Sequence, residues 1–193
     1  MKKLPDIALI GKMRSGKDEF ASILLELGYP ASRIAFGDSM KGMFSNSFPW
    51  IPMEPKPIQL LQHFGQSMRA IDEDVFVKPT LSKLWFEKKL AENNNYGYKQ
   101  KSYIFTDVRQ PNEYEAVRKA GFIPVRIYAS EKTRIARMIA NGETVSQDIL
   151  NAPTEKYLES FPVEYTVSND GTREEFKQEI VELIEKIQAK EGN

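Results

Sequence analysis

The chain has 193 residues, with 27 lysines and arginines against 27 aspartates and glutamates, no cysteine and a single histidine. This length suits one domain, and a formal net charge of zero excludes a bulk-electrostatic nucleic-acid binder, which carries a clear basic excess. Without cysteine there is no disulfide framework, thiolate metal site or cysteine nucleophile; with His63 alone there is no multi-histidine metal centre, and a Ser-His-Asp triad could form only around that residue.

No apolar run approaches the ~18 residues of a membrane span. Met1-Lys2-Lys3 is not followed by the apolar core and small-residue cleavage site of a signal peptide. The expected location is therefore the cytoplasm, with no membrane or nucleic-acid partner, and the sequence allows a homodimer.

Short apolar runs alternate with longer helical patterns, which predicts an α/β chain with a parallel sheet. In chain order the predicted strands are Ile7–Ile10, Arg33–Phe36, Ser102–Thr106, Ile123–Tyr128 and Glu164–Val167. The predicted helices are Lys17–Leu27, Ile58–Ala70, Val75–Glu92, Asn112–Ala120, Glu131–Asn141 and Arg173–Lys190. Phe48–Pro57 holds four of the chain's 11 prolines and reads as an irregular connection. Asn93-Asn94-Asn95 with Gly97 reads as the loop that closes the long helix Val75–Glu92 before the third strand. Asn112 with Glu115, and Thr172 with Glu175, have capping-box spacing. On the last helix Phe176, Ile180, Leu183, Ile184 and Ile187 fall on one face.

Directly after the first strand comes Gly11-Lys12-Met13-Arg14-Ser15-Gly16-Lys17-Asp18, the G-x-x-x-x-G-K spacing of a phosphate loop. Glycines let the backbone turn tightly, so that its N–H groups face phosphate oxygens at a helix N-terminus. Lys17 can then reach the β- and γ-phosphates as a point charge. Asp18 stands where a Ser or Thr normally follows the lysine. Its carboxylate can serve Mg²⁺, directly or through water, or can simply complement the helix dipole.

The third strand runs into Thr106-Asp107-Val108-Arg109. An acidic residue at the carboxyl end of a strand neighbouring the phosphate-loop strand is where a Walker-B-type Mg²⁺ ligand sits. Arg109, two residues on, can offer a planar fork to a phosphate. Taken alone, an Asp-x-Arg pair is more often a surface ion pair; at this strand end, in a chain with a phosphate loop, the functional reading is favoured.

With these segments the chain resembles the phage-type deoxynucleoside monophosphate kinases. These are relatives of adenylate kinase that share their Gly-Lys-Asp loop with the animal-type phosphomevalonate kinases. The resemblance runs from about Ile7 to Ile184, through the Gly11–Asp18 loop, Phe36-Gly37-Asp38-Ser39-Met40-Lys41, and Leu61-Gln62-His63-Phe64-Gly65-Gln66-Ser67-Met68-Arg69. It continues through Thr106 to Glu113, Thr154-Glu155, and Ser168-Asn169-Asp170-Gly171-Thr172. It departs at Glu19, Phe76 and Ala152-Pro153, where the family commonly carries a small hydroxyl residue, a tryptophan and His-Pro.

The resemblance implies a three-layer α/β/α fold with a five-stranded parallel sheet of order 2-3-1-4-5. It implies one domain over 1–193, an acceptor-binding insertion at about 37–100 and a small lid at about 129–150. Asp38, Lys41, Gln62, Gly65 and Arg69 would line the nucleoside monophosphate side, and Arg109 would hold the acceptor phosphate. Arg134 and Arg137 would be lid arginines over the transferring group, and Asn169 to Gly171 would border the adenine of ATP. The implied reaction is Mg²⁺-dependent transfer of the ATP γ-phosphoryl group to a deoxynucleoside 5′-monophosphate. A kinase of another small acceptor, such as phosphomevalonate, and a nucleotide-gated binding module with poor turnover are the alternatives.

Overall fold

The computed structural model describes residues 4–92, 101–143, 145–146, 150, 155 and 157–191. Its elements are β1 (Ile7–Ile10), α1 (Lys17–Glu26), β2 (Ala31–Ile34), α2 (Phe36–Ser47), α3 (Ile58–Ile71) and α4 (Val77–Glu92). They continue with β3 (Ser102–Phe105), α5 (Pro111–Lys119), β4 (Ile123–Tyr128), α6 (Glu131–Ala140), β5 (Tyr165–Ser168) and α7 (Arg173–Glu191). The sheet has the order β2-β3-β1-β4-β5, as expected from the sequence. Its pairings are parallel, with Ile7 opposite Ile104 and Ile123, Leu9 opposite Val125, and Val125 opposite Tyr165.

Contacts divide the chain into two compact units, Met1–Arg33 with Lys101–Asn193, and Ile34–Gln100. In the first, β1 is buried along its whole length, because a central parallel strand is covered on both faces and reads as a continuous apolar run. Phe20, Ile23 and Leu24 of α1 and Phe176, Ile180, Leu183, Ile184 and Ile187 of α7 pack into the same core as Ile7 and Leu9. The apolar stripe predicted on the last helix is thus its buried face. Each such side chain contributes about 1.5–3 kcal/mol.

In the second unit α2 packs against α3 and α4. Phe44 meets Phe64 edge-on at 5.5 Å between ring centres and Phe48 at 5.2 Å. The hydroxyls of Ser39 and Thr80 bridge α2 to α4 at 2.5 Å. The proline-rich stretch between α2 and α3 is irregular, as expected.

Three local expectations are corrected. The second strand lies two residues earlier than predicted, and Phe36 instead opens α2, a helix the sequence reading did not contain. The capping box of α5 uses Gln110 and Glu113 with Pro111 inside the first turn, not Asn112 and Glu115. By contrast Thr172 and Glu175 form the expected reciprocal cap, Glu175 Oε2 accepting from the Thr172 N–H at 2.7 Å. The Asn93–Asn95 and Gly97 loop lies outside the described residues, as does Thr154. Among the described residues no helix is long and apolar enough to cross a membrane.

Candidate active site

The loop between β1 and α1 wraps around a lysine. Ser15 N–H donates to the Lys12 carbonyl at 3.1 Å, and the Phe20 N–H takes the Gly16 carbonyl at 2.9 Å. Gly16 adopts φ +103°, and a Cβ there would collide with the Asn169 side-chain amide. Glycine at this position therefore answers both a backbone demand and a steric one. Arg14 also has positive φ, +62°, and its guanidinium pairs with Glu143. Inside the loop Lys17 is 7% exposed, and its Nζ donates to the carbonyls of Gly11 at 2.5 Å and Lys12 at 2.9 Å. Burial pushes the Lys17 ammonium down to about 7, Arg109 adds to the fall, and Glu155, Asp18 and Asp107 oppose it. A lysine so desolvated interacts strongly with a phosphate that enters the same low-dielectric space.

The outer turn of the loop is braced from the far end of the sheet. Asn169, buried just after β5, donates from Nδ2 to the Ser15 carbonyl at 2.8 Å. Its backbone N–H reaches Tyr128 O at 2.7 Å. Arg137 of α6 donates to the carbonyls of Arg14, Ser15 and Asn169 and to Asn169 Oδ1. Burial lowers the Arg137 pKa, and Asp170 opposes that fall. Two residues expected from the resemblance, Arg137 and Asn169, therefore converge on the loop. Gly171 follows in the turn that precedes α7.

Arg134, one turn before Arg137, is 3% exposed. Its guanidinium stands 3.9 Å from Glu131, and its Nε has no hydrogen-bond partner among the described residues. It lines a cavity of about 170 Å³ together with Gly11, Lys12, Arg126, Ser130 and Glu159. Part of the segment read as a lid, residues 144 and 147–149, lies outside the described residues.

At the end of β3, Asp107 is half-buried beside the buried Thr106. Arg109 is fixed at both ends: its backbone N–H donates to Glu113 Oε2 at 2.9 Å, and its Nη1 donates to Glu155 Oε1 at 2.5 Å. The other Glu155 oxygen accepts the N–H of Met13, in the phosphate loop, at 2.8 Å. Asp18 is exposed and pairs with Arg33 at 3.2 Å. Among the described residues no group of three or more His, Asp or Glu could by itself hold a metal ion.

The residues expected on the acceptor side all lie on two packed helices of the second unit. Asp38 and Lys41 form an ion pair of 2.7 Å along α2. On α3, Gln62 is exposed and Gly65 is buried, where a Cβ would come within 3.3 Å of Arg69 Nη1 and 3.7 Å of Met40 Sδ. Arg69 lies over the ring of Phe76 at 4.9 Å. Sequence reasoning quoted Glu155 only as part of a motif and gave it no role. Glu113 carries a local signal, the capping-box spacing from Gln110, whereas Glu143 has none, because its partner Arg14 lies 129 residues away.

These elements define a class by fold. The structure of TT1252 from Thermus thermophilus matches with a TM-score of 0.60 at 16% identity, over 96% of this chain and 98% of that one. A gluconokinase from Sinorhizobium meliloti gives 0.53 at 17%, over 98% and 99%. A dephospho-CoA kinase from Campylobacter jejuni gives 0.54 at 14%, over 94% and 96%. The fold is the α/β fold of P-loop kinases of small molecules. In sequence the chain is similar to a UPF0200 protein of Saccharolobus solfataricus, 26% identical over an alignment that covers 94% of this chain and 93% of that protein. No protein-family model matches the chain.

Proposed function

We propose that the protein is an ATP-dependent kinase of deoxynucleoside monophosphates, yielding ADP and a deoxynucleoside diphosphate. The observation that carries the reading is Lys17, buried in a phosphate loop with Arg109 and Asp107 close enough to shift its pKa. A phosphate oxygen of the acceptor is already ionised at neutral pH. It attacks the γ-phosphorus while the bond to the ADP oxygen breaks, so no protein base or nucleophile is needed. Positioning and charge neutralisation do most of the work.

In this reading Gly11, Met13, Arg14, Ser15, Gly16 and Asp18 form the cradle of the donor phosphates, through those loop N–H groups that Glu155 and the Lys12 carbonyl do not occupy, and Lys17 holds the phosphates directly. Arg134 neutralises charge on the transferring group, and Arg137, Asn169 and Gly171 form the adenine end. Arg109 holds the acceptor phosphate, and Asp38, Lys41, Gln62, Gly65 and Arg69 serve the nucleoside. The oxygen donors of Asp18 and Asp107 fit Mg²⁺, a hard cation that keeps several waters and takes one or two carboxylates plus substrate phosphates. The buried Thr106 hydroxyl, unpartnered among the described residues, adds a further oxygen beside Asp107. When bound, Mg²⁺ would neutralise charge on the phosphates.

The test is ADP release from ATP and Mg²⁺ across a panel of ribo- and deoxynucleoside monophosphates, with phosphomevalonate as a further arm. ADP is expected only with an accepted deoxynucleoside monophosphate. Equal ATP hydrolysis without an acceptor, or phosphorylation of no monophosphate, refutes the reading. Turnover with phosphomevalonate alone transfers it to the other acceptor class.

A further inference from the structure

Glu155 is 6% exposed and lies in neither the phosphate loop nor the segment between β3 and α5 that carries Arg109. Its two carboxylate oxygens nevertheless join them, one accepting from Met13 N–H at 2.8 Å and the other from Arg109 Nη1 at 2.5 Å. A buried carboxylate needs such partners, because an unpaired charge there is strongly destabilising. The arrangement does more than satisfy Glu155. With the Arg109 main chain held by Glu113, the guanidinium is pinned at a single nitrogen. Its Nε and Nη2 have no partner among the described residues, and the side chain is 30% exposed.

We infer that Glu155 is the positioning residue of Arg109: it holds the guanidinium at a fixed distance from the phosphate loop and leaves the remaining N–H donors for the acceptor phosphate. A long arginine side chain otherwise loses rotamer freedom when it is immobilised on a ligand. Pre-orientation removes that loss from the binding step, and in-line transfer also requires acceptor and donor to be held in register. Met13 belongs to the donor loop, so the carboxylate ties the two halves of the reaction through one rigid group. This inference rests on the acceptor role given to Arg109 above.

The experiment compares wild type, Glu155→Gln, Arg109→Ala and the double variant. Glu155→Gln is expected to raise the acceptor KM by about ten- to a hundredfold, the scale of one charge-assisted contact, and to lower kcat. The ATP KM should stay within about twofold, since the donor contacts are retained. In the Arg109→Ala background the Glu155→Gln change should add nothing, because Glu155 acts through Arg109. Multiplicative effects, an ATP KM that rises with the acceptor KM, or an unchanged acceptor KM overturn the inference. A wild type that phosphorylates no acceptor refutes the kinase reading instead. For that case the same variants are titrated with orthophosphate while the Arg109 Nε–Hε signal is followed by NMR. Saturation at about tenfold more phosphate in Glu155→Gln is expected, and superimposable titrations overturn the inference. Glu155→Asp keeps the charge but is too short to reach both partners, so it should shift the titration in the same direction; wild-type behaviour there also overturns it.

Discussion

Replacing Lys17 by methionine should stabilise the protein in the absence of nucleotide while removing its activity. The Lys17 ammonium ionises normally at 10.5 but at about 7 in its buried place. At about 1.4 kcal/mol per pH unit, the charged form opposes folding by on the order of 4 kcal/mol at neutral pH. Against this stand two hydrogen bonds to the carbonyls of Gly11 and Lys12, which methionine forfeits at about 1–1.5 kcal/mol each. The balance favours Lys17→Met by about 1–2 kcal/mol near pH 7, which for a chain of this length raises the melting temperature by roughly 3–6 °C. The pH dependence has a definite sign. Between pH 7 and 10.5 the unfolded lysine holds its proton and the folded one has lost it, so wild-type stability rises with pH. The advantage of the variant is therefore full below about pH 7 and fades as pH climbs toward 10.5. Melting curves of both proteins at pH 6, 7, 8 and 9, taken as differences so that other groups cancel, measure it. In parallel kcat should drop by roughly two to four powers of ten, the scale of a lost preorganised charge contact. A variant that melts lower than wild type at pH 7, or a difference that is flat from pH 7 to 9, refutes the reasoning.

Arg109→Lys should raise the acceptor KM strongly and lower kcat while the ATP KM moves little, because an ammonium cannot reproduce a bidentate fork; steady-state kinetics with each substrate varied in turn would show the opposite pattern if Arg109 served the donor. Asp18→Ala should raise the Mg²⁺ concentration for half-maximal rate, whereas superimposable metal titrations would reduce Asp18 to its pair with Arg33 and the helix dipole. Gly16→Ala, at φ +103° and against Asn169, should cost about 2–4 kcal/mol by denaturant unfolding. The control Gly28→Ala, at φ +80° in open space, should cost only about 1 kcal/mol.

Much of the scaffold was legible because periodicity and punctuation agreed. β1 and β4 occupy the predicted residues, since apolar runs of the right length are bounded there by Gly11 and Gly121. The miss at β2 has a physical cause: Ile34, Ala35 and Phe36 form one apolar run, yet the backbone changes state inside it, with Ala35 extended at φ −148° and Phe36 already helical. Both Ala35 and Phe36 are buried, so hydrophobicity carries no mark of that boundary. α2 also escaped notice because Gly37, Gly42, Ser45, Asn46 and Ser47 are poor helix formers, and packing of Phe36 and Phe44 overrides them. Lys17, Asp18, Asp107 and Arg109 were readable from local spacing. Glu155 was not: its partners lie 142 and 46 residues away in sequence, and only the fold brings them together.

The distribution of unsatisfied groups argues that this edge of the sheet is shaped for a ligand and not for stability. Buried polar side chains are normally hydrogen-bonded, because each orphan costs about 1–3 kcal/mol. Among the described residues three buried side-chain atoms lack a partner: Ser15 Oγ, Thr106 Oγ1 and Arg134 Nε. None lies in the core formed by β1, α1 and α7. Ser15 is in the phosphate loop, Thr106 follows β3 beside Asp107, and Arg134 is on the helix after β4. These stations belong to the carboxyl ends of neighbouring strands, where open α/β sheets bind their ligands. Adding the desolvated Lys17 gives a site with two unused hydroxyls and two under-compensated cations. Such a group is unfavourable while it is empty of charge, and it becomes favourable when several phosphate oxygens enter together. The same residues would be poor choices for a purely structural turn, where a neutral, fully paired loop would be more stable.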